Sequence, residues 1–291
     1  MNDNPPQVYL NGQFLPLERA CIPVLDRGFL FGDGVYEVIP AYRKRLFRLP
    51  HHLQRLDNSL HGIRMQPPLN HDEWRAILER LLAPLPDGDY SVYLQVTRGV
   101  AAERNHTVPQ GITPTLFAMA SPLPVPPPAE QRPGIAAITL DDLRWKLCNI
   151  KAITLLANVL VREQARDQDA AEAILVRDGL VMEGAASNLF MVTDGTIVTP
   201  PKSRYLLPGI TRDLILELAG RHRLPCREEE IPLTKLRQAD EIWITSSTKE
   251  MVAVTRLDGE TVGNGRPGPI FCRTAGLFAD YKEAIRAGEV D

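Results

Sequence analysis

Lys151 stands in Cys148-Asn149-Ile150-Lys151-Ala152-Ile153-Thr154-Leu155-Leu156, a stretch with hardly a polar neighbour, in a chain that has only seven lysines against 26 arginines. Burial there would disfavour the ammonium form and free a nucleophilic amine, which is what Schiff-base chemistry requires. A lysine snorkelling from a helix start would show the same local pattern. Glu183, in Val181-Met182-Glu183-Gly184-Ala185-Ala186-Ser187-Asn188, puts a carboxylate at the end of a strand-like run, followed by residues small enough to let a ligand approach. An exposed turn glutamate reads the same way. Three further stretches could hold an anion. Gly209-Ile210-Thr211-Arg212 opens a helical run whose free amides and positive dipole end suit a phosphate, unless Thr211 simply caps the helix. Ser246-Ser247-Thr248 follows a strand and offers hydroxyls and amides, as any loop rich in Ser and Thr would. Arg104-Asn105-His106 places two donors on one side of an extended segment, either an anion clamp or ordinary exposed loop residues. Gly32-Asp33-Gly34 lacks both G-x-G-x-x-G and G-x-x-x-x-G-K-[ST], so nucleotide binding of those kinds is unsupported.

These residues need elements to position them, and the pattern supplies two groups. Asn11-Gly12 between Val8-Tyr9-Leu10 and Gln13-Phe14-Leu15 is a hairpin signal, because both turn positions call for positive φ. Gly34–Tyr42 and Arg45–Leu49 read as a second hairpin. Leu53, Leu56 and Leu60 mark one helix from Pro50, Trp74 to Leu82 a second, and Ser91–Thr97 alternates as a strand. The prolines of residues 122–133 oppose helix and sheet ladders and read as an extended connector. A small N-terminal domain over 1–121 and a larger one over 134–291 follow. Beyond the connector come a β-like run at Ile135–Leu140 and a helix over Ile153–Glu163 with Leu155, Leu156, Val159 and Leu160 as its apolar side. Short strands around Asp178-Gly179 and Asp194-Gly195, a helix over Thr211–Gly220, a strand at Glu241–Ile244, a pair around Asp258-Gly259 and a closing helix to Arg286 complete the reading. Strands grouped with helices, without regular βαβ alternation, predict two subdomains of α+β type.

Composition narrows the function classes. The 291 residues are 44% hydrophobic and 24% charged, which excludes a disordered or collagen-like chain, and the net charge of −3 gives no electrostatic case for nucleic acid or an anionic membrane. No apolar run approaches the ~20 residues of a spanning helix, and Met1–Pro6 lacks the pattern of a signal peptide, so a cytoplasmic protein is expected. Cys21, Cys148, Cys226 and Cys272 are scattered, without metal-ligand spacing, so no metal site is expected.

Taken in order, the fragments resemble the fold-type IV pyridoxal-phosphate aminotransferases, and within them the D-amino acid aminotransferases. The resemblance runs through Asp26 to Glu37, His52-Leu53-Gln54-Arg55-Leu56, Gln95 to Gly99, Asn149-Ile150-Lys151, Glu183-Gly184-x-x-Ser187-Asn188, Leu207 to Arg212 and Thr245 to Thr248, nearly the whole chain. It implies an α/β fold of α+β type, with a small N-terminal domain, a larger barrel-like C-terminal domain and pyridoxal 5'-phosphate between them. It implies Lys151 as the Schiff-base lysine and proton shuttle, and Glu183 as the partner of the pyridine nitrogen. Arg55, the helix-start amides of Ile210 and Thr211, and the hydroxyls of Thr211, Ser246 and Ser247 would form the phosphate cup. Tyr36, Arg104 and His106 would hold the substrate α-carboxylate, with Arg104 and His106 contributed across a homodimer interface.

The expected reaction exchanges D-alanine and 2-oxoglutarate for pyruvate and D-glutamate, with tolerance for other D-amino acids and 2-keto acids. Ala185 and Ala186 depart from the serine run often found after Glu-Gly in D-specific members, so substrate preference or rate can differ. Alternatives on the same scaffold are an aminodeoxychorismate lyase, which Arg104-x-His106 speaks against, and a branched-chain L-amino acid or (R)-amine aminotransferase. A non-catalytic ligand-binding protein would be expected to lack Lys151 or Glu183, and both are present.

Overall fold

The computed structural model describes residues 7–128 and 131–290. The Met1–Pro6 start and Ala129 and Glu130 of the proline-rich stretch lie outside the described residues. The chain forms two compact units. One holds the described residues up to Val125 with Ile150–Thr154 and the stretch from Ile285, and the other holds Pro126–Asn149 and Leu155–Ala284.

In the first unit Asn11 and Gly12 take φ of 47° and 89° and join β1 (Gln7–Leu10) to β2 (Gln13–Pro16). The Asp26 side chain accepts the Gly28 amide and starts the short helix α1 (Arg27–Phe31), which local pattern does not announce. β3 (Gly34–Tyr42) returns into β4 (Arg45–Leu46) through Arg43 and Lys44, at φ of 46° and 64°. The expected strand over Arg45–Leu49 is shorter because α2 (Leu49–Gly62) begins there, with Pro50 in its first turn where no amide is needed. α3 (His71–Leu82) opens with a capping box in which the Asn70 side chain accepts the Glu73 amide and the Glu73 carboxylate accepts the Asn70 amide. β5 (Tyr90–Thr97) and β6 (Thr115–Pro122) complete an antiparallel sheet in the order β2-β1-β6-β5-β3-β4. β6 has no counterpart in the sequence expectation. Leu53, Leu56 and Leu60 of α2 and Trp74 and Leu78 of α3 are buried in one core with Ile39, Val92 and Leu94 of the sheet.

The second unit is built on β7 (Ile135–Asp141), α4 (Leu156–Arg166), β8 (Glu172–Arg177), β9 (Leu180–Gly184), β10 (Asn188–Thr193) and β11 (Thr196–Thr199). There follow α5 (Ile210–Arg221), β12 (Cys226–Glu228), β13 (Ile231–Pro232), α6 (Leu233–Leu236), β14 (Glu241–Ser246), β15 (Glu250–Leu257), β16 (Glu260–Thr261) and α7 (Pro269–Ala287). The strands run β12-β11-β10-β14-β15-β7-β8-β9-β13, with β16 paired to β15, as one curled half-barrel sheet. β7 is parallel to both β15 and β8, and β12 to β11, whereas the hairpins at Asp178-Gly179 and Asp194-Gly195 are antiparallel.

One helix departs from expectation. Residues 150–154 are not helical, because Ala152 bridges Val35 and the Ile153 amide donates to the Gly34 carbonyl, so α4 starts three residues late. Its expected apolar side faces solvent instead of a core: Leu156 is 71% exposed, Val159 54% and Leu160 58%. α4 packs through Val161 and Ala165 against Ile138, Ala173 and Leu175.

Candidate active site

In the first unit the Lys151 backbone is pinned from two sides. Its amide donates to Ser59 Oγ at 3.1 Å and its carbonyl accepts the Tyr36 amide at 3.0 Å. Flanking Ile150 and Ala152 belong to the buried core, so the chain on either side of the lysine is fixed by packing. Lys151 itself is half-buried, with Nζ 4.2 Å from the centre of the Tyr36 ring. Ser59 lies one turn beyond Arg55 on α2, so the helix that docks Lys151 also presents Arg55 on the same face.

Arg55 is buried and gives Glu37 a two-pronged contact, Nε to Oε1 at 2.8 Å and Nη2 to Oε2 at 2.7 Å. His52 Nδ1 lies 2.8 Å from Glu37 Oε2, and its Nε2 has no hydrogen-bond partner among the described residues. Burial pushes the Glu37 carboxyl up, but the charge and hydrogen bonds of Arg55 and the contact with His52 outweigh it and hold the group at about 2. Burial lowers His52, with Glu37 opposing, so the imidazole sits neutral against a carboxylate. Glu37 and His52 lie in the fragments that carry the resemblance but have no site role in the sequence expectation. A glutamate facing inward from a nine-residue strand was their available signal, since a buried carboxylate needs a cation.

Arg104 and His106 converge on one ring. Arg104 Cζ is 5.1 Å from the Phe31 centroid, and the His106 ring is 5.0 Å from it, while both residues are exposed.

In the second unit Glu183 projects from the end of β9 and is 3% exposed. Oε1 accepts from Arg144 Nη1 at 2.5 Å, and Oε2 accepts from Asn188 Nδ2 and the Leu207 amide, each at 3.1 Å. Arg144 is held in turn by Asp142, through Nε at 2.9 Å and Nη2 at 3.0 Å, and Arg177 also binds Asp142. Burial pushes Glu183 up to about 7, against the charge and hydrogen bond of Arg144 and the Leu207 amide, which pull it down. Burial lowers Arg144, but Asp142 and Glu183 raise it further, so the guanidinium stays charged. Cys148 is pushed up to about 11, chiefly by burial, and remains a thiol.

The anion-binding candidates of this unit gather around Asn188. α5 opens at Gly209 with no side-chain cap, so Thr211 is not the cap and the first-turn amides lack that partner. A Cβ on Gly209 would lie 1.9 Å from Asn188 Oδ1, so only glycine admits the asparagine there. Asn188 pairs across the sheet with Thr245, which leads directly to Ser246 and Ser247, both half-buried. Glu183 and the start of α5 thus meet at the Asn188 side chain, while backbone pairing of Asn188 with Thr245 sets the strand that leads to the Ser246-Ser247 turn. Among the described residues no group of His, Cys, Asp or Glu could hold a metal ion, and no helix is long and apolar enough to cross a membrane.

Comparison with known proteins adds a family. The pattern of Amino-transferase class IV matches residues 34–257. The chain is 40% identical over 264 residues to a D-alanine aminotransferase of Bacillus licheniformis, covering 91% of this chain and 93% of that protein. Its fold is similar to the branched-chain amino acid aminotransferase from Escherichia coli, at a TM-score of 0.88 and 27% identity over 99% of this chain and 96% of that one. It is also similar to a hypothetical aminotransferase from Mycobacterium tuberculosis in its PLP-bound form, at a TM-score of 0.81 and 26% identity over 98% of this chain and 100% of that one.

Proposed function

The chain belongs to the class IV aminotransferases, and on that premise we propose that it is a pyridoxal-phosphate-dependent D-amino acid aminotransferase, converting D-alanine and 2-oxoglutarate to pyruvate and D-glutamate. The observation that carries this reading is the 40% identity to a D-alanine aminotransferase along 91% of the chain, with Lys151, Glu183, Arg104 and His106 all present. The lower identity to branched-chain enzymes and the Arg104-x-His106 element favour it over an L-specific reading.

When bound, pyridoxal phosphate supplies an aldehyde carbon that takes up the amino group and a ring that accepts the electron pair left at the substrate Cα. The uncapped start of α5 beside Asn188 and the buried, arginine-paired Glu183 suit its phosphate and its pyridine nitrogen. In this proposal Lys151 Nζ anchors the aldehyde and then moves the Cα proton. Glu183 holds a proton on the pyridine nitrogen, and Arg144, Asn188 and Leu207 orient it. Arg55, the amides of Ile210 and Thr211, and Ser246 and Ser247 bind phosphate. Tyr36, Arg104 and His106 bind the α-carboxylate, which turns one enantiomer's Cα–H toward Lys151.

A homodimer belongs to the same proposal, with Arg104 and His106 serving the neighbouring site. Their exposure supports it, as does the uncovered Leu156, Val159 and Leu160 face of α4. The test is product analysis: D-alanine with 2-oxoglutarate gives pyruvate and D-glutamate in equal amounts, and Lys151→Ala gives neither. Formation of L-glutamate, or transfer from L-leucine alone, would overturn the assignment.

A further inference from the structure

We infer that Arg27 is a positioning residue for the α-carboxylate clamp, latching the backbone of residues 105–107 so that Arg104 and His106 present their side chains as a fixed pair. The inference rests on the proposed role of Arg104 and His106.

Arg27 opens α1 and is 3% exposed, and a buried guanidinium must find acceptors for its donors. One edge faces Asp33, with Nε donating to Oδ2 at 2.9 Å. Asp33 is held independently by Arg98 Nε at 2.7 Å, so its position does not depend on the latch. The other donors reach three consecutive carbonyls of the clamp loop: Asn105 at 2.6 Å, His106 at 3.1 Å and Thr107 at 3.4 Å. The loop has little else to order it, since residues 102–110 are all exposed. Within the loop the Asn105 side chain accepts the Thr107 amide at 3.0 Å, and Arg104 and His106 lie on the Phe31 ring, which Arg27 also touches with Cζ 5.0 Å from the centroid.

Consecutive carbonyls turned toward one guanidinium fix the local backbone, and the backbone directs the side chains at positions 104 and 106. A clamp ordered before substrate arrives binds a carboxylate without a further ordering cost. Arg27 therefore acts on substrate binding through the loop and does not touch the reacting atoms.

The test compares holoenzyme carrying Arg27→Gln, Arg27→Lys and, as reference, Arg104→Ala. Two readouts are used: KM and kcat for D-alanine, and hydrogen exchange of the loop amides. Arg27→Gln is expected to raise KM about tenfold, the scale of one lost charge-assisted hydrogen bond, with a smaller change in kcat. Loop exchange quickens while the bound cofactor's absorption spectrum stays as in the parent. Arg27→Lys, which keeps a cation beside Asp33 but lacks the planar fork, recovers part of the affinity. If Arg27→Gln does not accumulate folded, Arg27→Lys carries the same comparison, with a raised KM and quickened loop exchange expected. A raised KM for Arg104→Ala beside unchanged KM and loop exchange in the Arg27 variants would overturn the latch. An unchanged KM for Arg104→Ala would instead overturn the clamp reading on which the inference stands.

Discussion

Replacing Glu37 by glutamine should remove a large share of the first unit's stability together with its sensitivity to acid. Glu37 is fully buried, and its carboxyl is held at about 2 against an ordinary value of 4.5. The difference, 4.5 − 2, is 2.5 units, which at ~1.36 kcal/mol per unit corresponds to about 3 kcal/mol. Because the folded-state value is depressed, this contribution is present above pH 4.5 and is lost as pH falls toward 2. The variant also takes the Glu37 anion away from a buried Arg55, a change that costs about 3–5 kcal/mol in comparable buried pairs. The two routes agree on roughly 3 kcal/mol at pH 7. Urea unfolding from pH 7 to pH 3 measures it, with fluorescence from Trp74, which is buried in the same core, isolated by Trp145→Phe and Trp243→Phe in both proteins. Glu37→Gln is expected to unfold at lower urea near neutrality and to show a flatter acid dependence below pH 4.5. A variant within about 0.5 kcal/mol of the parent, or one with the parent's acid slope, would refute the reasoning.

Three other perturbations address the second unit. Glu183→Gln keeps the shape but loses the carboxylate, and the proton-transfer step, read by the deuterium isotope effect with Cα-deuterated D-alanine, should slow about a hundredfold. Gly209→Ala drives a methyl group into Asn188 Oδ1 and should lower stability by about 1–3 kcal/mol and weaken uptake of pyridoxal phosphate, measured by urea unfolding and fluorescence titration. Leu156→Glu with Val159→Glu puts charge on the bare face of α4 and should shift a dimer toward monomer in light scattering. Unchanged mass with both charges in place would remove that face from the interface.

The turns at Asn11-Gly12, Asp178-Gly179 and Asp194-Gly195 were legible because positive φ has a residue signature, and each of these residues adopts it. The turn at Arg43-Lys44 has the same geometry without the signature, so only the flanking strands point to it. Lys151 stood out for its apolar flanks, and the structure gives the reason: Ile150 and Ala152 pack in the first core while the lysine backbone bonds to Ser59 and Tyr36. Partners that meet across the fold left no local trace. Arg144 lies 39 residues from Glu183, and Arg27 lies 78 residues from Asn105, so neither contact can be read from spacing. The apolar stripe of α4 misled for a related reason. Helical periodicity identifies an apolar face but not what covers it, and here Leu156, Val159 and Leu160 are exposed while Val161 and Ala165 meet the sheet.

The central claim, D-specific amino transfer at Lys151, is tested most directly by the absorption spectrum of the purified protein with pyridoxal phosphate, before and after D-alanine or L-alanine is added without keto acid. The account predicts that D-alanine alone converts the lysine-bound cofactor band to that of the amino form and releases pyruvate, and that Lys151→Ala shows no such band. Conversion by L-alanine alone would contradict the assigned handedness, and a protein that forms no cofactor band would contradict the catalytic reading itself.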